Sequence, residues 1–165
     1  MIADALRLVL TNLPLIFFVA AFLLAAFRRD GETYAAALLA FLLLLSVGVE
    51  NLWFGFLHMA FPDISAASIG WDPSPFEFEI GAADFALGVV ATLSFWRSRD
   101  FKAAVVIFVT LFYAGVIFVH FREALFEGNF APNNFGVLLV LTIARMILLP
   151  TLYVMTRPAS SDRPS

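Results

Sequence analysis

Apolar runs at about 5–27, 34–60, 76–96, 103–121 and 135–156 constrain this chain more than any other feature. At about 1.5 Å per helical residue, each can cross a hydrocarbon layer roughly 30 Å thick. Lipid offers no partner for a free backbone amide, so each run must be helical. The expected fold is all-α: one polytopic transmembrane helical bundle of five spanning helices over residues 1–156, followed by a polar, turn-rich tail at 157–165 that is flexible and cytoplasmic. Composition agrees, with 62% hydrophobic and 14% charged residues, against about 45–50% and about 25% in a soluble domain. The first run outlasts a signal-peptide core and is followed by Arg28-Arg29, which reads as a stop-transfer flank, so it is taken as a permanent span. Pro14 and Pro150 are expected to kink their helices or lie near helix ends.

The chain has no cysteine, which excludes disulfides, thiolate metal sites, iron–sulfur clusters and cysteine nucleophiles. A net charge of -3, spread along the sequence, indicates neither a nucleic-acid partner nor a polybasic lipid contact. Basic residues nonetheless alternate by loop. Arg28 and Arg29 follow the first run, Arg97, Arg99 and Lys102 the third, and Arg157 and Arg163 the fifth. The connection 61–75 has neither Lys nor Arg, and 122–134 has only Arg122. The positive-inside rule then places the basic loops and C-terminus in the cytoplasm, the N-terminus outside, and the protein in a bacterial inner membrane. Arg7 dissents, and Asp4 is positioned to pair with it at helical spacing.

On the outer side, charge enters the spans. Glu50 and Asn51 lie about ten residues inside the second, roughly 15 Å deep. Asp84 lies inside the third and Arg145 inside the fifth, while His58, Glu77, Glu79, His120, Arg122 and Glu123 ring the outer mouth. Helical phase puts Glu50, Phe54, Leu57 and His58 on one face, and Glu77, Gly81, Asp84 and Gly88 on another, whose glycines admit a close neighbour. An ionised group in mid-span costs roughly 2.5–3.5 kcal/mol and normally finds a partner inside the bundle. Glu50 and Arg145 share a depth and are expected to pair, as an architectural clamp or a functional anchor; Asp84 has no such evident partner.

Several chemistries fit this outer set. A metal ion would draw on His58, His120 and Glu123, with His120 and Glu123 three apart on one helix face, although Arg122 opposes a cation. Haem b would use His58 and His120 as axial ligands. A pocket for a small ligand, or a proton path, would be lined by the acids and histidines with Trp53 and Trp71. An accessory subunit would use its buried charges to hold a partner. The connection 61–75, with Pro62, Gly70, Pro73 and Pro75, reads as a rigid loop, and Ser74-Pro75 before Glu77 and Glu79 reads as a helix start.

The pattern Glu50-Asn51-x-Trp53-x-Gly55-x-x-His58, then Gly70-Trp71-x-x-Ser74-Pro75-Phe76-x-Phe78-Glu79-x-Gly81-x-x-Asp84, resembles a family of small bacterial and archaeal membrane proteins of unknown function, themselves loosely like the DoxX group. The resemblance covers about residues 46–90. It implies a compact helical bundle and, by analogy with DoxX-like proteins, an association with membrane redox or quinone-linked complexes. The family often has Gln at position 77 and Asn at 84, so Glu77 and Asp84 would make this pocket more acidic.

The expected function is binding of a small ligand or ion in a polar cavity in the outer half of the bilayer, lined by Glu50, Asn51, His58, Glu77, Glu79, Asp84, His120, Glu123 and Arg145. An accessory subunit of a redox or transport complex is the alternative, and a metal or haem protein a further one. Expected partners are the lipid bilayer and either a second copy, through the glycines of the third span, or a larger membrane complex.

Overall fold

The computed structural model describes residues 10–28 and 31–156, and among these every regular element is helical. Helix α1 is Leu13–Phe27, α2 is Tyr34–Ala60, α3 is Pro62–Ile69, α4 is Phe76–Ser94, α5 is Arg99–Phe126 and α6 is Val137–Met155. The expected Asp4–Arg7 pair and the tail at 157–165 lie outside the described residues.

Three helices, α2, α5 and α6, are long and apolar enough to cross a membrane. Helix α1 is apolar but shorter, with 15 residues. Helix α4 has 19 residues and carries Glu77, Glu79 and Asp84 along its length. The exterior is apolar: Leu111, Phe118, Leu125, Val140 and Ile147 are among the large side chains left exposed, while Glu50, Asp84 and Arg145 are buried. That inversion suits a membrane protein, because lipid accepts apolar surface and penalises charge.

Local signals set the helix ends. Thr33 caps α2 by accepting from the Ala36 amide at 3.2 Å, and Ser98 caps α5 by accepting from Phe101 at 3.3 Å. Pro14 is buried in the first turn of α1, where its missing amide costs nothing, whereas Pro150 lies inside α6. The connection 61–75 is not the plain loop expected. Pro62 opens a helical turn, Asp63 complements its dipole, and Gly70 ends it at φ 77° in the left-handed region. The residues read as loop punctuation are thus the start and stop of α3.

Helix α2 is the hub and packs on α1, α4 and α6, while α5 pairs with α6. Its middle, Leu42–Val49, is a π-helix, flanked by α-helical turns at Tyr34–Phe41 and Glu50–Ala60. Small residues permit the α2–α4 contact. A Cβ added at Gly55 would lie 2.5 Å from the Phe85 amide nitrogen, and one at Gly88 2.6 Å from that of Leu52. Gly48 meets Thr92 and Gly81 meets His58 in the same manner, so two glycines seven residues apart on each helix interleave. The glycine face of α4, expected to serve a second copy of the chain, is occupied by α2 of the same chain. The apolar core then runs through Ala21, Leu38, Leu42, Val47, Leu87, Val109 and Leu149.

Candidate functional site

The interleaved glycines bring the polar positions of α2 and α4 into contact range, and α5 and α6 close over them. At the centre, Arg145 is 1% exposed and Glu50 2%. Arg145 Nη1 donates to Glu50 Oε1 at 2.6 Å and to the Ser46 carbonyl at 2.5 Å, and Nε donates to the Leu141 carbonyl at 3.0 Å. The π-helix explains the second of these bonds. The Glu50 amide reaches five residues back to the Leu45 carbonyl instead of four back to Ser46, as it would in an α-helix. The Ser46 oxygen therefore faces the guanidinium without that competitor.

Asn51 extends the cluster toward α5: its Nδ2 donates to the Val47 carbonyl at 2.7 Å and to the Tyr113 hydroxyl at 3.1 Å. The Tyr113 ring lies 5.4 Å from the Arg145 guanidinium carbon, a cation–π contact. Asp84 is a buried residue of α4, the helix packed against α2. It is 9% exposed and forms no hydrogen bond with a described residue. Ser46 Oγ, Glu50 Oε2 and Arg145 Nη2 are buried without a hydrogen-bond partner. Three orphan polar atoms in one buried cluster are unusual, since such groups are nearly always satisfied by protein or water.

The remaining expected lining residues divide into separate groups rather than one cavity. His58 Nδ1 donates to Glu77 Oε2 at 2.7 Å, with Glu77 2% exposed, so α2 and α4 are also tied near their outer ends. His120 Nδ1 donates to Asn134 Oδ1 at 2.7 Å, and the Trp71 ring stacks on the imidazole with centroids 6.1 Å apart. Glu123 pairs with Arg122 at 3.1 Å instead of joining His120, and Glu127 lies past the end of α5, 4.0 Å from Arg122. Glu79 is exposed. His58, His120 and Glu123 thus belong to different groups, and no three His, Asp or Glu side chains among the described residues come together as metal ligands do.

Sequence reasoning passed over four participants. Ser46 sits one helical turn before Glu50, and Tyr113 is a polar tip inside an apolar run, so both left a signal. Asn129 and Asn134 left none beyond turn composition. Asn129 Nδ2 donates to the Ile69 carbonyl at 2.9 Å and its Oδ1 accepts from the Ala131 amide at 3.1 Å, while Asn134 Nδ2 donates to the Asn129 carbonyl at 2.7 Å. This network fastens the end of α3 to the α5–α6 connection.

Residues 11–162 match the pattern of a family described as "Family of unknown function (DUF6790)", and the chain belongs to that family. Nothing in the match links it to the DoxX group, so the DoxX analogy and the redox association drawn from it fall away. No curated protein and no solved structure matches the chain.

Proposed function

We propose that this DUF6790 member is a five-span integral membrane protein that binds a small cation, or a polar molecule bearing one, beside Asp84. The observation that carries the reading is charge balance. The central cluster holds two carboxylates, Glu50 and Asp84, against one guanidinium, Arg145. The pair at 2.6 Å consumes one charge of each sign. Asp84 is left over, buried and without a hydrogen bond to a described residue. A lone intramembrane carboxylate is costly, so a positive guest at Asp84 lowers the energy of the whole cluster. The orphan oxygens of Ser46 and Glu50 add acceptors for its donors.

In this reading Asp84 meets the guest, and the Glu50–Arg145 pair and Asn51 form a fixed floor. His58, Glu77, His120 and Glu123 stand in neighbouring groups toward the outer face. The chain crosses the membrane at α1, α2, α4, α5 and α6, with its N-terminus outside and its basic connections in the cytoplasm, supported by the Lys and Arg distribution.

Labelling with dicyclohexylcarbodiimide, which reacts with carboxyl groups in apolar surroundings, tests the reading. Purified protein in mild detergent is expected to label at Asp84 and to be protected by one of sodium, potassium, ammonium or methylammonium; Asp84→Asn removes the label. Labelling of Asp84 that is indifferent to every one of these cations, or absent altogether, overturns it.

A further inference from the structure

Glu77 and Asp84 stand in line on α4. Seven residues turn an α-helix to within about 20° of two full turns, so the two acids share one face, about 10 Å apart along the axis. Gly81 lies between them, one turn from each, and all three are buried. That face is packed on α2. A Cβ at Gly81 would lie 2.9 Å from His58 Cβ and from Met59 Cγ, and one at Gly55 2.7 Å from the Gly81 carbonyl oxygen. The His58 side chain therefore starts over Gly81 and turns back to Glu77, where Nδ1 donates to Oε2 at 2.7 Å.

The two members of this pair are unequally covered. The His58 side chain is 18% exposed and that of Glu77 only 3%. Glu79, at the same helix end, is exposed, so complementing the helix dipole does not require an acid there to be buried. Glu77 thus lies beneath a partly exposed imidazole, with a second buried acid two turns further in. A cation moving along this face meets the His58 ring first and Glu77 next.

We propose that His58 is a gate on the outer route to Asp84, with Glu77 as the station behind it; the inference rests on Asp84 as the seat of a small cation. The imidazole gives Glu77 a donor that an ammonium or a hydrated metal ion replaces in kind, so the carboxylate is partnered before and after the exchange. Entry between apolar side chains would instead carry an unpaired charge through the span, which is costly. Opening needs only rotation of His58 about its side-chain bonds, since Gly81 has no side chain to hold the ring from below. No helix has to move, which the interleaved glycines would resist.

The chain has no cysteine, so Asp84→Cys introduces a single thiol whose rate of modification reads access without requiring cation binding. Failure of the gate and failure of the cation reading are therefore distinguishable. The intact protein in mild detergent is treated with 2-(trimethylammonio)ethyl methanethiosulfonate, a water-soluble cation, and the mixed disulfide is followed by mass spectrometry. Adding His58→Ala to Asp84→Cys is expected to raise the rate about tenfold. Adding His58→Ala together with Glu77→Gln, which leaves no stranded carboxylate, is expected to keep a rise of that order, so a fold weakened by His58→Ala alone would not account for it. Asn129→Ala releases the outer connection without touching this face and is expected to leave the rate within about twofold of Asp84→Cys alone. Equal rates with and without His58, a rise confined to the single His58 substitution, or as large a rise with Asn129→Ala overturns the proposal.

Discussion

Arg145 on α6 and Glu50 on α2 meet at 2.6 Å across 95 positions of sequence, and the same nitrogen takes the Ser46 carbonyl that the π-helical turn makes available. A buried pair contributes little relative to an apolar one, but breaking it strands a charge. Arg145→Leu is expected to cost about 3–5 kcal/mol, because the Glu50 carboxylate keeps its burial and loses its counter-ion. The double variant Glu50→Leu with Arg145→Leu should recover much of that loss. Thermal and denaturant unfolding in detergent read both; equal or additive losses would mean that the two side chains act independently.

The glycine contacts yield a sharper contrast. Gly88→Ala puts a methyl group against the Leu52 backbone, which cannot step aside as a side chain could. The helices must separate, at about 1–3 kcal/mol for overpacking. Gly115→Ala meets nothing within 4 Å and should be neutral or stabilising by up to about 1 kcal/mol, since alanine is the better helix former. Melting temperatures that fall equally for both substitutions would show that the α2–α4 contact is not the close one described.

Much of the architecture was legible because lipid leaves few options. The run expected at 34–60 is α2, residue for residue, and that at 76–96 is α4 to within two residues. Of the five runs expected to span, three form helices long and apolar enough to cross a membrane, while α4 trades apolar residues for Glu77, Glu79 and Asp84. Matching depth was enough to pair Glu50 with Arg145. Depth is one coordinate, however, and it could not say that His58 turns to Glu77 while His120 turns to Asn134, since that depends on how the helices rotate about their axes. The π-helix left no trace in Leu42–Val49, an apolar stretch with one serine. In the fold it accompanies the bond from Arg145 to the Ser46 carbonyl, a partner brought from 99 positions away.

Asn129 and Asn134 turn the α5–α6 connection into a fastener for the α3 end. Asn129→Ala removes the donor to the Ile69 carbonyl and the acceptor of the Ala131 amide together. A loss of about 1–3 kcal/mol is expected if these groups stay buried. Exposure limits the cost, and the loops open instead. Hydrogen exchange should rise over residues 61–75 and 127–136 while α2 and α4 keep their protection. Unchanged exchange in 61–75 would show that Asn129 does not hold that segment.

His58 and Glu77 offer the mildest and most diagnostic change. Glu77→Gln keeps an oxygen that accepts from His58 Nδ1 and removes only the charge, so the α2–α4 tie should survive with a change in melting temperature of a few degrees at most. His58→Ala instead leaves the Glu77 carboxylate, 2% exposed, with no donor. The cost is then the desolvation of an unpaired group, about 1–3 kcal/mol or more for a charged one. If Glu77 serves only to anchor His58, the double variant His58→Ala with Glu77→Gln should be more stable than His58→Ala alone, because the stranded charge has gone. If the double variant is worse, the Glu77 carboxylate has a second partner, and the outer end of α4 is tied to more than α2.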